Sequence, residues 1–297
     1  MRPLGITTDS TSDMTLVLSR RLDIPVTPII VRVGGQEVET RPDMDRDAYF
    51  SAIDRDGLSG TAAVSPAHWA AAYRDLAERA ATQLAVTLSQ GMSATWQNAK
   101  VAGASEGTGR VSVFDSGTVF AGLLSLVLGA GEMAAGGADL AEVRQWLEAA
   151  RPRTHTYLLS PNLGMLRRIG RVGDVMPVAG KPWAVVKIEE GLFVPKSTHE
   201  NVEAACAWIL RDLEPALDDV PPLRLVVDHG RAPGPATMVA DFIGRGTGVH
   251  PLTRIDDGPI MPVLADGFGG VALSVGPLPV SPTARDSSTR EDAGRGA

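Results

Sequence analysis

Cys206 is the one thiol in this chain of 297 residues, which excludes an internal disulfide and fits a reducing compartment. The five histidines, His68, His155, His199, His229 and His250, lack ligand spacing, so a catalytic metal is not expected; no cofactor is expected either. Aromatic residues are only 5% of the chain, no basic block occurs and the net charge is −7, so nucleic acid is not an expected partner. Long apolar runs are also missing. The longest, Val119 to Ala130, is about two-thirds of what crosses a bilayer. It reads as a buried helix, leaving transient contact with a membrane surface as the most that is expected. Asp9 comes too early for a signal peptide, and the expected location is the cytoplasm. There is no G-x-S-x-G elbow and no H-E-x-x-H motif. The glycine-rich stretches Gly244–Gly248 and Gly267–Gly270 do not link a strand to a helix with dinucleotide spacing. Asp43–Asp47 imitates the start of a calcium loop, but Ala48 stands where the sharp turn needs glycine, and a helix N-terminus is the better account.

What remains is a chain with 44% hydrophobic and 21% charged residues, able to bury a full core and long enough for two domains. Apolar strands alternate with amphipathic helices, the pattern of an α/β protein whose mostly parallel sheet is covered on both faces. Strands are expected at Leu4–Thr8, Leu84–Leu88 and Val111–Phe114, with helices at about 13–22, 66–80, 94–104 and 118–136. Ile24–Val33 reads as one longer strand, and Gly34-Gly35 as the turn of a hairpin. A second, smaller α/β set follows: strand His155–Ser160, helix 162–168, hairpin Trp183–Lys187 with Leu192–Pro195, helix 199–214, strand Leu223–Asp228, helix 235–244 and strand Val271–Ser274. We expect domains at 1–153 and 154–280. Ser281–Ala297 has no large apolar side chain and is expected to be a disordered tail.

The most informative stretch is Thr87-Leu88-Ser89-Gln90-Gly91-Met92-Ser93-Ala94-Thr95-Trp96. It passes from an apolar run to a helix start with a hydroxyl at the junction, where N–H groups and the macrodipole attract an anion. A second hydroxyl cluster, Gly60-Thr61-Ala62-Ala63-Val64-Ser65-Pro66, is expected to open another helix. Each alone is ordinary capping. Asp9-Ser10-Thr11-Ser12-Asp13 has capping-box spacing from Ser10 to Asp13, with a wall of a head-group site as the second reading. Trp69 and Trp96 fall one turn inside the two candidate site helices, where an indole is more often core.

Read with their flanks, these segments resemble the DegV family of bacterial fatty-acid-binding proteins, the lipid-carrying subunit of fatty-acid kinase. The resemblance rests on Ile6–Asp13, the two hydroxyl segments, Val113-Phe114-Asp115-Ser116, Leu163–Val172 with its Gly170-Arg171, then Lys181-Pro182, Glu190-Gly191, Lys196 and Gly258-Pro259-Ile260, in that order. It implies a two-domain DegV-like fold and no catalytic apparatus. It further implies a long-chain fatty acid in a buried apolar pocket of the first domain, its carboxylate on Ser93 and Thr61 and its head group bordered by Ala62, Ala94, Thr95, Ala265 and Gly267. Arg171 would contact phosphate or a partner kinase of the dihydroxyacetone-kinase type, to which the acid is presented for acyl-phosphate formation. Ala62 and Ala94 replace a hydroxyl and a glycine usual in the family, and Leu264–Gly269 replaces a segment that usually carries histidine.

The chemistry suits such a ligand. A carboxylate held by hydroxyl and N–H donors needs no full counter-charge, so phosphorylating it strands no buried cation. Burying about fourteen methylenes at roughly 0.8 kcal/mol each gives on the order of 10 kcal/mol at most, far more than two or three hydrogen bonds. The competing reading is a small-molecule hydrolase or transferase with Ser93 as nucleophile; it needs a base, and the sequence offers no obvious one near either hydroxyl segment.

Overall fold

The structure of the chain is a computed structural model that describes residues 1–106, 109–168, 170–172, 180, 182–217, 222–249, 252–255, 258–260, 263 and 269–279. Ala265, Gly267, Lys181, His250 and the segment 281–297 lie outside the described residues.

Strand β1 (Arg2–Asp9) is buried from Leu4 to Asp9, as expected of a strand covered on both faces. It lies between β2 (Val26–Thr27) and β6 (Ala80–Thr87), with β7 (Val111–Asp115) beyond, in a four-stranded sheet of order β2-β1-β6-β7. Every pairing is parallel, with Thr8 opposite Val26, Ile6 opposite Leu84 and Val86 opposite Phe114. Helices α3 (Pro66–Ala77) and α4 (Thr95–Ser105) pack on each other and on β6 and β7. The expected single strand over 24–33 is instead two strands in different sheets, because Pro25 and Pro28 flank Val26–Thr27 and remove the donors a continuous ladder needs. Its second part, β3 (Ile30–Val33), is the centre of a three-stranded antiparallel sheet with β4 (Gln36–Glu39) and β5 (Leu58–Ala62). The β3–β4 hairpin turns on Gly34 and Gly35, both with positive φ, the requirement that the Gly-Gly pair announces.

All strands of the third sheet follow residue 153. They are β8 (His155–Ser160), β9 (Trp183–Glu189), β10 (Leu192–His199), β11 (Leu223–Gly230), β12 (Leu252–Ile255) and β13 (Gly270–Pro277), in the order β10-β9-β8-β13-β11-β12. This sheet is antiparallel except for β11–β12, and the parallel sheet expected in the first part of the chain is the four-stranded one. Helices α8 (Val202–Leu217) and α9 (Pro233–Thr247) pack together against it. Pro233 lies in the first turn of α9, and Gly248 closes it at φ +65, in keeping with the Pro-first, Gly-last asymmetry of helices.

Helix α5 (Ala121–Ala135) joins the two halves. Twelve of its fifteen residues are buried because it packs against β1 and β6 on one side and β8, β11 and β13 on the other, and a helix enclosed all round can be apolar all round. A Cβ on Gly122 would run into Thr118 and Thr156, and one on Gly129 into Trp146. The run Val119–Ala130 is at these glycines tightly packed core, in keeping with the buried helix expected there. Helices of the first half carry clear start signals. In α2 (Arg46–Asp56) Asp45 accepts from Ala48 N–H, confirming a helix start at the calcium-loop look-alike. In α6 (Leu140–Ala150), absent from the expected elements, Asp139 and Glu142 form a capping box. No helix among the described residues is long and apolar enough to cross a membrane.

Candidate functional site

The carboxyl ends of β1, β6 and β7 converge on the loop that carries Ser93, the edge of a parallel sheet where ligands ordinarily bind. Each neighbouring strand sends a carboxylate to hold it. Asp9, at the end of β1, accepts from Leu88 N–H at 2.8 Å, and Asp115, at the end of β7, accepts from Gln90 N–H at 3.1 Å. Asp9 is fully buried, and the desolvation pushes its pKa above the usual aspartate value, although bonds from the Thr11 hydroxyl and the Leu88 and Thr11 N–H groups pull the other way. Ser89 ties the loop to the second half: its hydroxyl donates to Gly191 O at 2.7 Å. Gly191 is in the β9–β10 turn at φ +75, where a Cβ would strike the Ser89 hydroxyl, so only glycine permits this approach.

At the end of the loop two hydroxyls form a relay. Thr95, fully buried, accepts from Val64 N–H at 3.2 Å, and its oxygen lies 2.9 Å from that of Ser93. Ser93 is half-buried and accepts from Thr95 N–H at 3.2 Å. A buried hydroxyl hydrogen left without an acceptor costs ~1–3 kcal/mol, so Thr95 donates to Ser93 and the Ser93 hydrogen is left to point outward. Outward lies a surface depression of about 390 Å³, lined by Gln90, Gly91, Ser93, Ala94, Trp96, Gln97 and Arg171. The half-buried Trp96 is therefore a wall of this depression and not core, with Lys100 Nζ 4.3 Å from its ring centroid, whereas Trp69 is fully buried.

Arg171 reaches the depression through a helix end. Helix α7 (Gly164–Arg168) stops where Gly170 adopts φ +67 and Arg171 N–H returns to Leu166 O at 2.7 Å, a left-handed C-terminal cap. The exposed guanidinium then donates to Gly91 O at 3.5 Å. Behind the loop, Leu88 and Met92 belong to one apolar cluster with Leu163, Leu166, Val172, Ile260 and Val263.

Ser93, Ala94 and Arg171 thus share one depression, with Thr95 buried behind Ser93. Thr61 and Ala62 do not open a helix as expected. They are half-buried residues of β5, with Thr61 opposite Val31. The cap of α3 is Ser65, which accepts from His68 N–H ahead of Pro66. The Thr61 segment meets the Ser93 segment at Val64, whose carbonyl also accepts from Asn98 Nδ2 at 2.8 Å. Ala94 occupies the N-cap of α4 and supplies no side-chain cap; the Ser93 hydroxyl does that work. The expected Ser10–Asp13 capping box is also absent: Asp9 caps the short helix Ser10–Ser12, and Asp13, at φ +47, turns its carboxylate to Ile260 N–H at 3.2 Å. Lys196 donates to Glu189 at 2.7 Å.

A histidine does lie beside one hydroxyl segment, contrary to the expectation. His68 Nδ1 is 2.9 Å from Ser65 Oγ, and its Nε2 is 3.1 Å from Glu39. Ser65 is already the cap of α3 and Glu39 also pairs with Arg41, so this constellation holds the helix start. Ser93, the nucleophile of the competing reading, has the Thr95 hydroxyl and N–H as its partners among the described residues, neither of them a base. Among the described residues no three His, Cys, Asp or Glu side chains are grouped to hold a metal ion.

A family model described as "Uncharacterised protein, DegV family" matches residues 3–276. A DegV domain-containing protein of Streptomyces coelicolor is 29% identical over 246 residues, covering 81% of this chain and 86% of that protein. Among solved structures, a DegV family protein from Thermus thermophilus, described by its fatty acid binding, superimposes with a TM-score of 0.79 at 25% identity, covering 94% of this chain and 100% of the other. The Fatty Acid Kinase (Fak) B3 protein of Streptococcus pneumoniae, loaded with linoleic acid, gives a TM-score of 0.78 at 16% identity, covering 92% of this chain and 99% of that one. The second comparison speaks for the fold.

Proposed function

Because this chain belongs to the DegV family, we propose that it holds a long-chain fatty acid with its carboxylate on Ser93 and Thr61 and its tail in the apolar interior behind them. The observation that carries the reading is the chain of contacts from Val64 N–H to Thr95 and from Thr95 to Ser93, which ends on a Ser93 hydroxyl that lines the depression. A neutral donor there, with the exposed charge of Arg171 across the same depression, suits a carboxylate that must accept a phosphoryl group. Arg171 is then the contact for that phosphoryl group or for a separate kinase of the dihydroxyacetone-kinase type. The fatty acid of the Thermus relative and the linoleic acid of the Streptococcus protein support this ligand class.

In this reading the first half, residues 1–153, is the lipid-binding domain, with 154–280 as the second domain. The protein works in the cytoplasm as a carrier without a catalytic apparatus or cofactor of its own. The tail dominates affinity at roughly 0.8 kcal/mol per buried methylene, and the hydroxyls set its register. Combining Ser93→Ala with Thr61→Ala should weaken fatty-acid binding on the order of 100-fold, about ten-fold for each hydroxyl, measured by displacement of a fluorescent fatty acid, while the far-ultraviolet spectrum stays unchanged. Unaltered affinity in the double variant places the head group elsewhere.

A further inference from the structure

Arg231 stands in a backbone conformation that arginine seldom takes. It follows β11 in the second half and precedes α9, with φ at +58, a region that glycine, asparagine and aspartate enter more readily. Its carbonyl is closely packed as well, since a Cβ on Gly269 would lie 2.5 Å from Arg231 O. The side chain held in this way crosses to the first half. Nη1 donates to Asp54 Oδ1 at 2.6 Å and Nη2 to Asp54 Oδ2 at 2.8 Å, a fork-to-fork pair that needs a planar guanidinium. The guanidinium carbon also lies 5.7 Å from the centroid of the Phe50 ring, within reach of a cation–π contact. Phe50 and Asp54 are four residues apart in α2 and so share one face of it. The Arg231 and Asp54 side chains are 29% and 57% exposed, so the pair adds little to global stability. What a fork with a ring beside it fixes is orientation.

We propose, on the reading of Thr61 and Ser93 as carboxylate contacts, that Arg231 is a positioning residue for the head-group site: from the second half it sets the strand that carries Thr61 against the loop that carries Ser93. Every step from Asp54 to that strand is tied. Helix α2 ends where Gly57 N–H returns to Ile53 O at 2.9 Å, and Gly57 O accepts from Gly34 N–H at 3.1 Å, joining the helix end to the β3–β4 turn. A Cβ on Gly34 would lie 2.6 Å from Asp56 Cβ, so turn and helix end are in close contact. Strand β5 follows at once, with Leu58 opposite Val33 and Thr61 opposite Val31. Two residues beyond it, Val64 N–H meets Thr95 Oγ1 at 3.2 Å. A shift of α2 is therefore passed to Thr61 and to the contact behind Ser93. On the buried side of α2 the Tyr49 hydroxyl donates to Pro259 O at 3.2 Å, a neutral tie to the second half that remains when the charged one is removed.

The test is a charge reversal in the full chain, read by displacement of a fluorescent fatty acid and by urea unfolding. Aspartate suits φ +58 better than arginine, and arginine in the last turn of α2 suits the helix dipole, so Arg231→Asp combined with Asp54→Arg should fold and remake the pair in reverse. Arg231→Asp alone sets two carboxylates face to face and should weaken fatty-acid binding about 5-fold with the urea midpoint nearly unchanged. The double variant should return to within about 2-fold of the parent. In a Thr61→Ala background Arg231→Asp should cost less than about 2-fold, because the strand then has no donor left to place. Unchanged affinity in the single variant, no recovery in the double, or an equal loss in the Thr61→Ala background overturns the proposal. If the parent binds no fatty acid, the reading of the site fails and the clamp is judged by itself: hydrogen exchange at residues 61–64 should speed up in Arg231→Asp and recover in the double variant, and equal rates in all three proteins overturn it.

Discussion

Replacing Thr95 by valine removes one hydroxyl from a fully buried position and keeps its shape, which isolates the relay that aims Ser93. Two costs follow from the geometry. Val64 N–H, 3.2 Å from Thr95 Oγ1, loses its acceptor and leaves a buried donor unsatisfied, lowering global stability by ~1–3 kcal/mol. Ser93 loses the donor 2.9 Å away that fixes which way its own hydrogen points. A hydroxyl bonded to a carboxylate is worth ~1.5–3 kcal/mol, and the low end applies because the depression is open to water. Ser93→Ala should therefore weaken fatty-acid binding about 10-fold, and Thr95→Val, which disorders the hydroxyl without deleting it, about 3-fold. The two effects must not add. With Ser93→Ala in place, Thr95→Val should change the Kd by less than about 2-fold while still lowering the urea midpoint, because a residue acting through another has nothing left to orient. Displacement of a fluorescent fatty acid measures the first quantity and urea unfolding the second. Equal losses of affinity in both backgrounds would refute the relay, since Thr95 would then act by general distortion.

Two further substitutions probe the frame that holds the site. Gly122→Ala should destabilise the chain by about 2 kcal/mol in urea unfolding: the new methyl collides with the Thr118–Thr156 hydroxyl pair at an overpacking cost of ~1–3 kcal/mol, which the better helix propensity of alanine only partly offsets. Arg224→Met breaks the pair with Glu132, whose two carboxylate oxygens both accept from Arg224 Nη2 at 2.7 Å between β11 and α5. The loss should be about 2 kcal/mol by the same assay, below the ~3–5 kcal/mol of a fully enclosed pair, because the Glu132 side chain is 34% exposed and rehydrates.

Local chemistry made much of this fold legible. The Gly34-Gly35 pair announces its hairpin, the apolar run of α5 its burial, and the strand-then-hydroxyl pattern around Ser93 the carboxyl edge of a parallel sheet. Where local pattern and structure differ, a second local signal competes with the first. Pro25 and Pro28 cut an apparently continuous strand into pieces that joined different sheets. Thr61 and Ser65 lie four residues apart, yet only Ser65 has the following proline that marks a helix start, and Thr61 became part of an edge strand instead.

What could not be read are the ties between residues far apart in the chain. Ser89 meets Gly191 across 102 positions, and Asp13 meets Ile260 across 247; no periodicity or capping rule encodes such partners. The same holds for the buried Thr95 behind Ser93. Spacing brings two hydroxyls to a helix start, but only the approach of Val64, two residues beyond β5, decides which of them keeps its hydrogen for a ligand.

The central claim is that this chain carries a fatty acid whose carboxylate meets Ser93. Native mass spectrometry of the purified protein, under conditions that retain lipid, tests it most directly. We expect a bound mass equal to a long-chain fatty acid, released by organic solvent and reduced in occupancy by Ser93→Ala. Protein that is purified empty and takes up no added fatty acid would contradict the account.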